Sequence, residues 1–268
     1  MANCLVTQLK SSVNNDSLPK LGTLRIEVIQ QGTGNRFRLM LNGETTIKVK
    51  SGDDGFFYSA SAQSTPITTL TSSTSLDILL PSNKTFALEV FPKYNIVHFQ
   101  KPRGYQELNN FRINIEQFEG CESLVTLGLY QSEGYGSIDK LVSCSNLEDF
   151  SFLYCSEITG NTTTLSGMTQ MRILQLTNTA VAGSSRDLSG LTALTNAQLR
   201  CPNMTFNDAD FAHLTNLTSL RVYSGDYDGI ASAMVNTGGR TSGTMQLWIA
   251  DVKTVTFDSS LPNGYSIS

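Results

Sequence analysis

The chain has 268 residues and a formal net charge of −4 at pH 7, with 19 lysine and arginine residues against 23 aspartate and glutamate residues. This length fits one large or two ordinary domains and is enough to bury a core without disulfide or metal support. The acidic balance, with no cluster of basic residues, argues against nucleic-acid binding, and the low charged fraction of 16%, with abundant Ser, Thr, Asn and Gly, is typical of β-rich, turn-rich proteins.

The first ten residues carry neither a basic segment nor an apolar run of the kind that a signal peptide needs. Apolar runs elsewhere, such as residues 78–80, are far shorter than the ~20 residues of a membrane-spanning helix. We therefore expect a protein that is made in a cytoplasm and does not associate with membranes. The cysteines form no CxxC pair, so we expect reduced core residues and neither disulfides nor zinc ligands: Cys4, Cys121, Cys144, Cys155 and Cys201.

The opening of the chain resembles proteins carried by phages of gut Bacteroidetes, the crAss-like group. The similarity lies in residues 2–10 (ANCLVTQLK) and 13–22 (VNNDSLPKLG). Some of those phage proteins are virion components, so the resemblance implies a particle protein with an N-terminal attachment region. A virion leaves its host by lysis, which fits a protein without a signal peptide.

Residues 1–100 are predicted to form an antiparallel β-sandwich that serves for attachment and oligomerisation. Apolar and polar residues alternate there in short runs, as in half-buried strands. Turn residues separate the runs, and Asn42-Gly43 in particular is typical of a β-hairpin. A polar segment, residues 60–74, is predicted to be a long loop or arm. The alternating runs are residues 24–29, 37–41, 46–50, 76–80 and 86–91.

Residues 101–268 contain a repeat, which predicts a second domain. An L-x-x-L-x-L pattern recurs, and the first positions of successive copies are 23, 24, 23 and 23 residues apart. A second apolar pair stays in phase with it and ends three residues before each following copy. A sixth, degenerate copy begins at Thr244. The five clear copies begin at Leu124, Leu147, Met171, Leu194 and Leu217.

This pattern resembles the leucine-rich repeat, L-x-x-L-x-L-x-x-N/C, over roughly residues 120–255. The resemblance implies a solenoid in which each copy adds one short strand to a parallel sheet. The return segments are rich in poor helix formers, so we expect loops and single turns, short helices over residues 207–214 and 228–235, and a capping strand over residues 252–257. The N/C position is loosely filled, and only Cys155 matches: Ser132, Cys155, Thr179, Pro202 and Gly225.

The residues that flank the buried positions of each copy face away from the core, on the side that is concave in leucine-rich repeats. We call this surface the polar sheet face. Its C-terminal half gathers arginine, aromatic and amide side chains, which contact surfaces favour and which also suit sugar rings. The other interpretation is an ordinary solvated sheet whose C-terminal tail covers Trp248. The predicted binding residues are Gln198, Arg200, Arg221, Tyr223, Gln246 and Trp248.

No residue pattern indicates catalysis, a metal site or a cofactor. His98 and His213 fall in different predicted domains, and neither accompanies a recognisable Ser or Cys nucleophile. Residues 226–229 resemble the start of a calcium loop but lack its third acid and distal glutamate. A polysaccharide depolymerase needs paired carboxylates, and the polar sheet face offers only Asp149.

The sequence therefore favours a non-enzymatic structural protein of a phage virion, a head-fibre or tail-fibre component or capsid decoration. Residues 1–100 would attach it to capsid, portal or fibre proteins, and residues 101–268 would project towards a host-surface glycan or protein, or a neighbouring fibre. Exposed edge strands would favour a homodimer or homotrimer. The alternative is a bacterial leucine-rich-repeat interaction module or surface adhesin.

Overall fold

A computed structural model describes residues 24–29, 35–41, 46–51, 56–57, 74–80, 85–100, 112–130, 133–206, 208–211, 213–222, 246–247 and 266–267. Strands and 3₁₀ helices make up all the regular structure of these residues. The predicted mainly β fold class is thus confirmed. The first seven strands are β1 (Leu24–Ile29), β2 (Asn35–Leu41), β3 (Thr46–Ser51), β4 (Phe56–Phe57), β5 (Thr74–Leu80), β6 (Thr85–Phe91) and β7 (Ile96–Gln100).

The remaining strands belong to the repeats and the C-terminal segment. One series follows the L-x-L positions: β9 (Thr126–Tyr130), β11 (Asp149–Leu153), β13 (Ile173–Thr177), β15 (Asn196–Arg200) and β17 (Ser219–Val222). A second series lies in the return segments: β8 (Arg112–Asn114), β10 (Glu133–Ser137), β12 (Glu157–Thr159), β14 (Ala182–Ser184) and β16 (Asn203–Thr205). The last two strands are β18 (Gln246–Leu247) and β19 (Ser266–Ile267).

Five parallel strands, one from each clear copy of the repeat, form one half of an eight-stranded sheet. β9, β11, β13, β15 and β17 lie side by side in chain order, with no register shift between neighbours. Their apolar positions point into the core. In β11, Phe150 and Phe152 are completely buried, and their rings meet edge to face with centroids 4.7 Å apart. One copy cannot bury its apolar side alone, so neighbouring copies stabilise one another. The fold is that of a leucine-rich-repeat solenoid.

The same sheet continues into the N-terminal part of the chain. β7 pairs in parallel with β9 and antiparallel with β2, and β5 closes the far edge. The strands β1, β6, β3 and β4 form a separate antiparallel sheet, whose Val90 belongs to the same buried cluster as Leu39 and Leu41 of β2. The large sheet thus crosses residue 100, where we placed a domain boundary, and the division into two domains stays a prediction.

The return segments carry a second set of parallel strands, which the sequence analysis did not predict. β10 pairs with β8 and β12, and β14 pairs with β16. A 3₁₀ helix follows each of the five return strands, β8, β10, β12, β14 and β16. These helices span Ile115–Phe118, Ile138–Leu141, Thr162–Gly167, Ser185–Leu188 and Asp208–Phe211.

Small polar residues begin four of these 3₁₀ helices. The side-chain oxygen of each accepts a hydrogen bond of 2.9–3.2 Å from the backbone N–H two residues later, which satisfies a donor that the turn leaves open. The capping residues are Asn114, Ser137, Asn161 and Ser184.

The helix predicted over residues 207–214 is the shorter 3₁₀ helix Asp208–Phe211. The helix predicted over residues 228–235 and the strand predicted over residues 252–257 lie outside the described residues.

A ladder of buried side chains fills the N/C position of the repeat more completely than predicted. Cys155, Thr179 and Cys201 occupy successive steps, and each is at most 2% exposed. The thiol of Cys201 lies 3.4 Å from the carbonyl oxygen of Leu176, to which it donates, and 3.2 Å from Oγ1 of Thr179. The ladder therefore links the end of one strand to the next copy.

The prediction that Pro202 occupies this position is wrong by one residue. Tyr154 and Asn178 each add a residue between strand and ladder, and both adopt left-handed backbone conformations, with φ of 62° and 53°. The following copy has no such residue, so Cys201 takes the ladder position and Pro202 lies outside it, exposed.

The four described cysteines are free thiols in the buried core, as predicted. Burial raises the pKa of the Cys121 thiol to about 12. The same cause raises the pKa values of Cys144 and Cys201 to about 11. These three thiols are therefore neutral at physiological pH, which suits apolar packing and disfavours reactivity.

Asp139 connects two neighbouring return segments. Its Oδ1 accepts a hydrogen bond from the backbone N–H of Asn161 at 2.8 Å and another from the hydroxyl of Thr164 at 2.8 Å. These bonds favour the ionised carboxylate, and the Asn161 N–H contributes most to lowering the pKa of Asp139.

We expect acid to weaken this contribution. Because the pKa of Asp139 is lower in the folded state than in the unfolded state, its stabilisation is complete above the unfolded value and is lost as pH falls through the folded value. Asp139→Asn should therefore destabilise the protein more at pH 7 than at pH 3. Since Asp139 is exposed, the difference should stay below about 1 kcal/mol. Urea unfolding followed by circular dichroism measures it, with the exposed Glu119→Gln as control; an equal effect at both pH values would contradict this role.

Candidate interaction face

The parallel register aligns the outward side chains of the solenoid sheet in three rows, which form the described part of the polar sheet face. The first row is His98, Thr126, Asp149, Ile173, Asn196 and Ser219. The second row is Gln100, Gly128, Ser151, Gln175, Gln198 and Arg221. The third row is Tyr130, Leu153, Thr177 and Arg200.

Three of the six predicted binding residues lie together on this face. Gln198 and Arg200 are on β15, and Arg221 is the register partner of Gln198 on β17. Gln246 belongs to β18. Tyr223 and Trp248 lie outside the described residues, so the binding site as a whole stays a prediction.

The face extends one strand further towards the N-terminus than predicted, because β7 adds His98 and Gln100. Nδ1 of His98 lies 2.8 Å from Oγ1 of Thr126. Partial burial lowers the pKa of His98, and the negative charges of Glu148 and Asp149 oppose this effect. The histidine is thus part of a polar cluster at one end of the face. Its segment lacks the complete L-x-x-L-x-L pattern, and only the spacing of Ile96 and Phe99 resembled a copy.

Two open depressions lie side by side in the middle of the polar sheet face, with volumes of about 250 and 410 Å³. The first reaches from Gln100 on β7 to Asn196 on β15, and the second reaches from Tyr130 to Arg221. They form a continuous groove, because they share lining residues from four strands: Tyr130, Leu153, Gln175 and Asn196.

Gly128 helps to form the first depression. It stands where the neighbouring strands carry Gln100 and Ser151, so the row has a gap at β9. A Cβ at this position would lie 3.3 Å from Cγ of Gln100, which leans over the glycine. Beside the gap, the hydroxyl of Ser151 donates a 2.5 Å hydrogen bond to Oδ1 of Asp149.

Two tyrosines border the second depression. The rings of Tyr130 and Tyr154 are nearly perpendicular, at 87°, with centroids 6.3 Å apart. Tyr154 is 49% exposed, and its left-handed backbone conformation lets it extend beyond the end of β11. The repeat pattern does not predict this pair, because it gives no sign that Tyr154 is an inserted residue next to the third row.

Charged side chains are sparse on this face. In the three rows, within the part of the chain that the structure describes, Asp149 is the only acid, and Arg200 and Arg221 are the only strong bases. Amides occupy more positions than charges do: Gln100, Gln175, Asn196 and Gln198.

No family model matches the sequence, and no curated protein is significantly similar to it. Among solved structures, the chain is similar to internalin C2 from Listeria monocytogenes, with 16% identity and a TM-score of 0.44 over 66% of this chain and 83% of that one. It is also similar to the leucine-rich-repeat ectodomain of the receptor kinase SOBIR1 from Arabidopsis thaliana, with 14% identity and a TM-score of 0.35 over 67% and 74% of the two chains. Both similarities concern the repeat fold alone.

Two further observations bear on the kind of site. Within the described ranges, no three His, Cys, Asp or Glu side chains come close enough together to hold a metal ion. None of the helices in the same ranges is long and apolar enough to span a membrane.

Proposed function

We propose that this chain is a non-enzymatic interaction protein that binds its partner through the polar sheet face. The observation that carries the proposal is the continuous groove across β9, β11, β13 and β15, bordered by Tyr130 and Tyr154 and ending at Arg221. A rigid parallel sheet holds these side chains in fixed rows, so little conformational entropy is lost on binding. Tyrosine and arginine are also the residue types that contribute most to contact surfaces.

An enzymatic alternative would use Asp149. Hydrolysis of a glycosidic bond needs two carboxylates about 5–10 Å apart, and no second carboxylate belongs to the described rows. We therefore propose binding without turnover. A polysaccharide cleavage that is measured with the wild-type chain and lost in Asp149→Asn would contradict this part of the proposal.

The finer proposal is that the protein is a virion component, a head-fibre or tail-fibre element. It is supported by the resemblance of residues 2–22 to proteins of crAss-like phages. Residues 1–100 would attach to capsid, portal or fibre proteins or to further copies, and the solenoid would project towards the host surface. The competing proposal is a bacterial interaction module or adhesin, which would bind through the same polar sheet face but would not be part of a phage particle.

Peptide mass spectrometry on density-purified phage particles separates these two proposals. A virion component is recovered intact with the particles, in hundreds of copies on a head lattice or in a dozen or fewer at a vertex or tail. Recovery from the lysate but not from the particles would contradict the virion proposal and favour the bacterial module.

Removing the positive charges of the polar sheet face should weaken binding. Arg200→Ala combined with Arg221→Ala should raise the dissociation constant for cells or particles at least tenfold, about 1.4 kcal/mol, because Arg221 lines the groove and Arg200 lies on the neighbouring strand of the same face. The control combines Lys140→Ala with Arg186→Ala, which removes two charges from the return segments. Titration of fluorescently labelled full-length chain against cells or particles measures the dissociation constants of both double variants. Equal affinities of the two double variants would show that the face is not the binding site.

A further inference from the structure

We infer that the groove of the polar sheet face binds a neutral glycan chain. This inference rests on the proposed function and names the chemical class of its partner. It follows from the types of side chain that line the groove, their exposure and their charge.

The polar groups of the groove suit sugar hydroxyls. Each amide group offers one acceptor oxygen and two N–H donors, and each sugar hydroxyl likewise both donates and accepts. Amides from three strands line the groove. Gln175 is only 4% exposed and belongs to its floor, whereas Gln100, Asn196 and Gln198 are partly exposed and present adjacent donors and acceptors from a fixed sheet. The amide residues are Gln100, Gln175, Asn196 and Gln198.

The aromatic groups are placed to contact the apolar face of a sugar ring. Tyr154 exposes half of its surface beside the second depression, and the edge-to-face contact with Tyr130 holds its ring in place. Tyrosine combines a flat apolar ring with a hydroxyl that can reach solvent or ligand. A pyranose ring stacked on Tyr154 would keep its hydroxyls directed towards the amides of the groove.

The charge and apolar content of the groove favour a neutral glycan over the other classes. Asp149 lines the first depression and Arg221 lines the second, so the two charges of the groove offset each other and give an acidic sugar no net attraction. The buried core of a protein contact is largely apolar, whereas the aliphatic side chains of this groove are Leu153, which is only 7% exposed, and the partly buried Ile173. The second depression, of about 410 Å³, falls in the usual range for small-ligand sites.

Binding of full-length chain to immobilised oligosaccharides tests the inference. The panel contains neutral chains of hexose, N-acetylhexosamine and deoxyhexose units, and acidic chains with uronic or sialic acids. Gly128→Val fills the first depression against the flexible Gln100 side chain. Tyr154→Asn removes the exposed ring but keeps the left-handed conformation, since Asn178 adopts it at the equivalent place in the next copy. Val142→Asn, at a residue 69% exposed in a return segment, is the matched control.

The wild-type chain should bind at least one neutral oligosaccharide, and the same free oligosaccharide should compete. Gly128→Val and Tyr154→Asn should each weaken that binding at least tenfold, while Val142→Asn should change it less than twofold. Binding to acidic chains alone, to no chain, or with equal strength in all variants would overturn the inference. If it fails while the Arg200 and Arg221 double variant still loses binding to cells or particles, the face binds a protein or an acidic glycan and the proposed function stands. If that double variant also binds cells or particles with wild-type affinity, both the glycan inference and the proposed function are wrong.

Discussion

Phe99→Ala should lower the free energy of unfolding by about 3–5 kcal/mol, the usual cost of removing a buried phenylalanine side chain. Phe99 is 1% exposed, and its ring centroid lies 5.1 Å from that of Phe118. Its register partners are Leu39 of β2 on one side and Leu127 of β9 on the other. The side chain therefore packs at the junction between the N-terminal strands and the first copy of the repeat.

Urea unfolding followed by far-UV circular dichroism measures this loss, since the transition midpoint reports stability at constant slope. Val142→Ala serves as the control, because Val142 is 69% exposed and surface substitutions usually change stability by less than about 0.5 kcal/mol. A loss below about 1.5 kcal/mol for Phe99→Ala would contradict the continuous core across residue 100.

Gly183→Ala should destabilise the protein by about 2–5 kcal/mol, through backbone strain and overpacking together. Gly183 has φ of 129°, a conformation that residues with a Cβ rarely adopt. Its new methyl group would overlap Oγ1 of Thr162. That completely buried threonine donates a hydrogen bond of 2.5 Å to Asp187 and accepts one of 3.0 Å from the Ser184 N–H, so the substitution also disturbs the contact between two return segments.

Gly167→Ala is the matched control for this effect. No atom lies within 4 Å of a Cβ built at Gly167, which ends the 3₁₀ helix Thr162–Gly167. Its substitution should leave stability unchanged or raise it by up to about 1 kcal/mol, because alanine restricts the unfolded chain. If both glycine variants unfold at the same urea concentration, the close packing of return segments at Gly183 is refuted.

The repeat and its rows were predictable because each copy buries the same positions. The spacing of Leu147, Phe150 and Phe152 predicts both the strand and its buried face. The outward-facing residues then follow from the alternation of side chains along the strand. The predicted alternation places Gln198 and Arg221 in the same row, and the structure pairs them as register partners. The predicted core therefore needed no information from outside the sequence.

The second set of parallel strands was not predictable in the same way. A return strand buries one apolar residue at most, such as Ile158 in β12 or Met204 in β16, and β14 buries none. One buried residue creates no period. The polar sequence around it favours turns by composition. What makes these segments strands is their stacking on equivalent segments in neighbouring copies, which is a tertiary effect.

The groove itself was missed because it depends on exceptions to the repeat. Gly128 leaves a gap, and Tyr154 is an inserted residue, so neither follows from the period of 23 or 24 residues. Likewise, β7 joins the sheet although its segment has only part of the motif. The repeat pattern therefore favours the C-terminal half of the face, whereas the described depressions lie in its middle and include only Gln198 and Arg221 of the predicted binding residues.

Site-specific photo-crosslinking tests most directly whether the polar sheet face is where the partner binds. p-Benzoylphenylalanine is placed at residue 154, on the groove, or at residue 142, in a return segment, since both native side chains are exposed. Each full-length chain is irradiated with the cells or particles that it binds. The account predicts cross-linked products from residue 154 and none from residue 142. Products from residue 142 alone, or equally from both residues, would contradict it.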